Sequence, residues 1–165
     1  MTTARNATIR TARLDDYGQV CRLTDSLDVL HRDGAPWMFR APEVQPRSDA
    51  YFVDLLGRDD SVIFVADADQ IVGVAFGLLR AAPNLPNFHQ QRWGVLDGLV
   101  VEPAWRRRGI GKRLTHAVEK WAAGLGAPWV ELNVYEFNTE ARQFYEALGY
   151  LPCSRKLRKP SPDAA

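Results

Sequence analysis

Seven residues, Arg106-Arg107-Arg108-Gly109-Ile110-Gly111-Lys112, combine four cations with two closely spaced glycines. A hydrophobic run from Leu96 to Val101 leads in, and a helical pattern beginning at Ile110 leads out. Strand, basic turn and helix N-terminus together collect backbone N–H groups that have no helical partner, and the helix dipole adds positive potential. That chemistry is anion binding, and phosphate is its usual ligand. Glycine lets ligand oxygens approach the backbone, while arginine can grip a phosphate with two parallel donors. A magnesium-dependent P-loop does not fit. Counting back from Gly111-Lys112, its first glycine falls on Arg106, and Arg113 replaces the Ser/Thr that would hold the metal. The expected occupant of the turn is therefore a phosphorylated ligand held by the backbone.

The elements that position this turn follow from periodicity. Thr8 to Thr11 is a short β-branched strand. From Leu14-Asp15-Asp16, helical spacing runs through Tyr17, Val20, Leu23, Leu27 and Leu30. Arg32 to Arg47 carries three prolines and is irregular. Asp49 to Gly57 reads as a short helix with Tyr51, Phe52, Leu55 and Leu56 inward. Ser61–Ala66 and Ile71–Leu79 are strands joined by the polar loop 67–70, and Gly73 and Gly77 mark a bulge or close packing. A loop at 81–91 precedes a strand over Trp93–Val101. The helix over 110–125 has an apolar stripe of Ile110, Leu114, Ala117, Val118, Trp121 and Leu125. Trp129–Val134 is a strand, Asn138 caps a helix closed by Gly149, and Tyr150–Leu157 is a last strand. Residues 1–6 read as frayed and 160–165 as a disordered tail. The pattern is an α/β fold with a mixed sheet flanked by helices, one domain over 1–165 with its core at about 8–157.

Composition narrows the function classes. A net charge of +1 argues against a general polyanion binder, and the basic stretches 106–113 and 155–159 lack interleaved aromatics, so no nucleic-acid partner is expected. Cys21 and Cys153 lie far apart and suggest neither a disulfide framework nor a metal site. His31 and His89 have no ligand-like spacing, and no metal is expected. There is no signal-like apolar segment and no apolar run near the length of a membrane span, so the expected location is cytoplasmic and off the membrane.

Two motifs resemble the GNAT superfamily of acetyl-CoA-dependent N-acetyltransferases. Leu99-Val100-Val101-Glu102-Pro103 followed by Arg106-x-x-Gly109-x-Gly111 is similar to the family's pyrophosphate loop. Asn138-x-x-Ala141-x-x-Phe144-Tyr145-Glu146-x-x-Gly149-Tyr150 is similar to its helix beside the cofactor thiol. The order of elements over residues 8–157 also fits. The resemblance implies a mostly antiparallel mixed sheet whose central strands splay to form a groove for acetyl-CoA. It implies that the backbone of Leu99, Val100 and Val101 pairs with the pantetheine amides like an added strand. The loop Arg106, Arg107, Arg108, Gly109, Ile110, Gly111 and Lys112 would then cradle the pyrophosphate, and Asn138 would hydrogen-bond the cofactor.

Acyl transfer to an amine needs a neutral nucleophile, a proton acceptor, a donor for the tetrahedral oxygen and a proton donor for the leaving thiolate. The resemblance gives Tyr145 the last role. It often puts an acid in the strand before the loop, where Asp97 is the only carboxylate, read as acting through water. The position before Leu99, where an acid is common in the family, is Gly98. Glu102, Glu131, Glu136 and His89 are further candidates. Direct transfer is expected, with no acyl-cysteine. The acceptor is a primary amine of a small molecule or protein. Its site is expected from 31–47, 81–92 and the turn after Val134, with Trp37, Phe39, Trp93 and Tyr135 as walls and Asp33, Glu43 and Glu136 attracting a cation. The alternative is a non-catalytic CoA-binding module of the same fold. An exposed edge at the last strand makes a homodimer an expectation.

Overall fold

A computed structural model of the chain describes residues 6–159. The expectations for the first five residues and for 160–165 lie outside the described residues. The elements are β1 (Thr8–Thr11), a 3-10 turn (Leu14–Asp16), α1 (Tyr17–Gly34), α2 (Asp49–Gly57), β2 (Ser61–Asp67), β3 (Ile71–Ala81), β4 (Arg92–Val101), a second 3-10 turn (Pro103–Trp105), α3 (Ile110–Gly124), β5 (Val130–Glu131) and α4 (Thr139–Ala147). The five strands lie in sequence order, all antiparallel except the β4–β5 pair. The chain divides into two compact units, one reaching Asn133 and one starting at Val134.

In the first unit the sheet is covered on both faces. Val20, Leu23, Phe52 and Leu55 of α1 and α2 pack on Ile63, Val65, Val74, Phe76 and Val100. The other face of β3 is small because glycine alternates with large residues in Gly73-Val74-Ala75-Phe76-Gly77, and side chains alternate across a strand. A Cβ built at Gly73 would lie 3.0 Å from Leu114 Cδ1, and one at Gly77 would lie 2.8 Å from Val62 Cγ1 and 3.0 Å from Val118 Cγ1. These glycines therefore allow α3 to lie close against the sheet. The close packing expected at both glycines is present, whereas the bulge beside Gly77 lies on the facing strand, since Phe76 and Gly77 pair with Gly98 and Leu96 and leave Asp97 of β4 as the extra residue.

The start of α1 depends on an ion network. Arg10 Nη1 donates to Asp16 Oδ2 at 2.7 Å and Nη2 to Asp16 Oδ1 at 2.9 Å, while Nε donates to Asp67 Oδ2 at 2.9 Å. The Arg13 N–H also donates to Asp16 Oδ2, at 2.7 Å. Asp16 is thus a buried partner of Arg10, not only a favourable charge at a helix start, and the guanidinium holds its carboxyl below the usual carboxylate range.

Three expectations need correction. Tyr51, expected inward on α2, is 45% exposed. The strand expected over Trp129–Val134 is only Val130–Glu131, because β4 supplies partners at Gly94 and Val95 alone. No strand forms among the described residues 150–159, which are exposed from Leu151 onward. Pro152 lacks an amide donor there, and the cations at 155, 156, 158 and 159 repel one another, so alternation alone does not make a strand without a neighbour. The edge that motivated the homodimer is therefore absent from the described residues. No helix among them is long and apolar enough to cross a membrane.

Candidate active site

The site begins at the free side of β4. β5 pairs with β4 only at Gly94↔Val130 and Val95↔Glu131, so among the described residues β4 has a partner from Leu96 onward on the β3 side alone. The splay expected between these strands is therefore present. Glu102 N–H donates to Val72 C=O at 2.9 Å. Antiparallel alternation then turns Val100 toward Val74 and directs the amides of Leu99 and Val101 to the open edge. Of the three residues expected to pair with an extended ligand, Leu99 and Val101 present their backbone to it, while Val100 buries its side chain in the core.

The basic turn follows on the same edge. The 3-10 turn closes with Trp105 N–H to Glu102 C=O at 2.8 Å. Arg106 Nε donates to Val101 C=O at 3.1 Å, which ties the turn to the end of β4. Arg107 has φ +61° and Gly109 has φ +76°, two left-handed residues that reverse the chain into α3. A Cβ at Gly109 would meet nothing within 4 Å, so the glycine there serves backbone conformation and leaves the space above the turn open. The first bond into α3 runs from Arg113 N–H to Gly109 C=O at 3.1 Å, and no side chain caps the helix. The N–H groups of Gly109, Ile110, Gly111 and Lys112 accordingly have no acceptor among the described residues. The Arg108 guanidinium lies 4.9 Å from the centre of the Trp105 ring, a support that the sequence reading missed. Open amides in a turn that carries Arg106, Arg107, Arg108 and Lys112 form a donor set that fits a pyrophosphate.

Asp97 is the bulged residue of β4, since the register passes from Gly77↔Leu96 to Phe76↔Gly98 without assigning it a partner. It is exposed and makes no hydrogen bond or ion pair with the described residues. Glu131, by contrast, accepts from Trp93 Nε1 at 2.7 Å, and Glu102 Oε1 lies 3.5 Å from Arg22 Nη1. A Cβ at Gly98 would lie 3.3 Å from Phe76 Cδ2, which leaves little room for a side chain at the position before Leu99.

The second unit holds the other motif. Asn138 Oδ1 accepts from Ala141 N–H at 3.1 Å and caps α4, which leaves its NH₂ group to donate elsewhere. Gly149, at φ +92°, ends the helix turn. The Tyr145 ring meets Phe144 at 5.1 Å and Tyr150 at 5.7 Å between centroids, both edge-on. Burial pushes the Tyr145 phenol up to about 12, so it stays protonated throughout the neutral range. Tyr135 stacks on Phe137 at 5.3 Å, and Arg142 Nη1 pairs with Glu136 Oε2 at 3.0 Å, which occupies that candidate base.

The segments expected to receive the acceptor are ordered by contacts from α1. Arg47 pairs with Asp28 through bonds of 2.6 and 2.9 Å, and the Tyr17 hydroxyl donates to Arg47 C=O at 2.8 Å. Phe39 stacks on His31 at 5.3 Å, whereas Trp37 is 60% exposed. Trp93 lies parallel to Trp129, centroids 6.2 Å apart, a pairing that the separate reading of each residue did not reveal.

Residues 27–150 match the model of the acetyltransferase (GNAT) family. The chain is 34% identical over 110 residues to the L-ornithine N5-acetyltransferase NATA1 of Arabidopsis thaliana, covering 66% of this chain and 48% of that protein. It thus spans about half the length of that relative. It is 30% identical over 115 residues to the aminoglycoside N(6')-acetyltransferase type 1 of Salmonella typhimurium, covering 66% of this chain and 77% of the other. A tetramutant of the BH1408 protein from Bacillus halodurans superposes with a TM-score of 0.86 at 26% identity, over 93% of this chain and 99% of that one. Both named relatives are transferases, which does not favour a non-catalytic CoA-binding module. An open strand edge running into a ring of free amides, with the family model matched across both, means that this chain belongs to the GNAT family of acetyl-CoA-dependent N-acetyltransferases.

Proposed function

We propose that the protein transfers the acetyl group of acetyl-CoA directly to the primary amine of a small molecule, with Asp97 as proton acceptor and Tyr145 as hydrogen-bond donor to the leaving sulfur. The observation that carries this reading is the pair of open N–H groups at Leu99 and Val101 on the β4 edge, followed in the chain by the open amides of Gly109–Lys112. Pantetheine amides suit the first part and the pyrophosphate the second. Bound acetyl-CoA supplies a thioester, an acyl donor that needs no covalent enzyme intermediate. The residues of the chain then have three tasks. Asp97, exposed and unpaired on the bulge, takes a proton through water from the incoming ammonium, so that the amine has a lone pair. The free N–H groups on the β4 edge stabilise negative charge developing at the carbonyl oxygen. Tyr145, protonated at neutral pH, donates a hydrogen bond to the departing sulfur, and the second proton shed by the acylated nitrogen reaches the thiolate through water. The unused NH₂ of Asn138 is a donor for the cofactor.

Named relatives acting on ornithine and on aminoglycosides support a small-molecule amine as acceptor. Two free thiols, Cys21 and Cys153, suit the reducing cytoplasm, where we place the protein. Calorimetric titration with acetyl-CoA tests the reading. Saturable binding is expected, and the double variant Arg106→Glu/Gly111→Glu should abolish it by setting carboxylates against the pyrophosphate. A natural chain that is folded yet binds no acetyl-CoA overturns the proposal.

A further inference from the structure

We infer that Trp93, Trp129 and Glu131 form a seat for a second ammonium group of the acceptor, so that a small aliphatic diamine is preferred to a monoamine. The inference rests on the amine-transferase reading and adds where the non-reacting end of the acceptor sits. Gly94 N–H donates to Trp129 C=O at 2.9 Å, and Gly94 pairs with Val130. A Cβ at Gly94 would point at Ala122 of α3, only 2.7 Å from its Cβ. Strand alternation therefore places Trp93, Trp129 and Glu131 together on the face away from α3. There the two indoles lie parallel within 11°, with Trp129 43% exposed.

Glu131 differs from the carboxylates of this chain that pair with arginine. Asp28, Asp60 and Glu136 each pair with an arginine. Glu131 is held instead by the neutral indole N–H of Trp93, which fixes its position without cancelling its charge, and no basic side chain among the described residues pairs with it. A fixed, uncompensated carboxylate beside two π faces selects an alkylammonium by charge and by cation–π attraction, and offers nothing to a neutral or anionic group. Asp97 lies two residues past Val95, the partner of Glu131, hence about 7 Å farther along β4. An acceptor with ammonium groups at both ends of a short alkyl chain can place one end at each carboxylate.

The test uses the indole N–H resonances of the ¹⁵N-labelled protein, assigned with Trp93→Phe and Trp129→Phe. Cadaverine and n-pentylamine differ only in the second ammonium. Cadaverine should shift the Trp93 and Trp129 signals saturably, with n-pentylamine roughly tenfold weaker. Glu131→Gln preserves an acceptor for the Trp93 N–H and should reduce cadaverine to the affinity of n-pentylamine. Trp129→Leu should weaken cadaverine without altering the fold of the sheet. Equal affinities for the two amines in the natural chain, unmoved indole signals, or a Glu131→Gln variant that binds cadaverine normally would each overturn the seat. Because the readout needs no acetyl-CoA, its failure is distinct from failure of the acetyl-CoA titration.

Discussion

At Tyr145, position in the motif and chemistry have to be considered together. With its phenol pushed up to about 12, Tyr145 is a weaker acid than an ordinary thiol, whose value is near 8.5. Complete proton transfer to a thiolate would be uphill, so the contribution proposed for it is a hydrogen bond in the transition state. Tyr145→Phe should lower kcat by roughly ten- to a hundredfold while leaving the Kd for acetyl-CoA near normal, as steady-state kinetics and calorimetry would show. Unchanged turnover would remove Tyr145 from the mechanism. Asp97→Asn should lower kcat/KM by roughly ten- to a hundredfold, because the amide accepts no proton. Unchanged kcat/KM would assign the base to water alone.

Among the elements, β4 and α3 do most to shape the site. Both motifs were legible because glycine spacing and helix caps are local signals, and Gly109, Gly149 and Asn138 perform the backbone roles their types suggest. The extent of the splay was not readable from Trp129–Val134, whose alternation would suit a longer strand. The packing of α3 sets a stability test. Gly94→Ala would place a methyl 2.7 Å from Ala122 Cβ and 2.9 Å from Val130 Cγ2, and should cost about 1–3 kcal/mol in urea denaturation. Gly124→Ala, in the same helix but with nothing within 4 Å, should instead be neutral or stabilise by up to about 1 kcal/mol. Equal effects at the two glycines would mean that α3 does not bear on the sheet as closely as described.

On the scale of the whole molecule, the Arg10 network joins β1, the start of α1 and the end of β2. Asp16→Asn leaves Arg10 and a buried amide imperfectly matched, and should destabilise by roughly 3 kcal/mol. The folded-state value of Asp16 is lowered, so its contribution is present above the unfolded value near 3.9 and is lost as pH falls through the folded one. Urea midpoints of the natural chain and of Asp16→Asn should therefore differ most near neutral pH and converge in acid below about pH 4. A constant gap down to strongly acidic pH would show that the carboxylate charge is not what stabilises this corner.

The sequence by itself determined the family, the order of elements as far as α4, the left-handed basic turn and the helix caps, because each depends on residues adjacent in the chain. Tertiary structure decided where β4 loses its partner, that Asp97 stands unpaired on a bulge, and that Glu131 is fixed by an indole instead of an arginine. It also decided that the final segment is no strand. These outcomes depend on which neighbour each backbone or side chain meets across the sheet, and pairing across 30 or more residues has no local signature. Asp97 and Glu131 are ordinary acids in a list of residues, and the absence of a counter-charge around them among the described residues is what supports the tasks proposed for each.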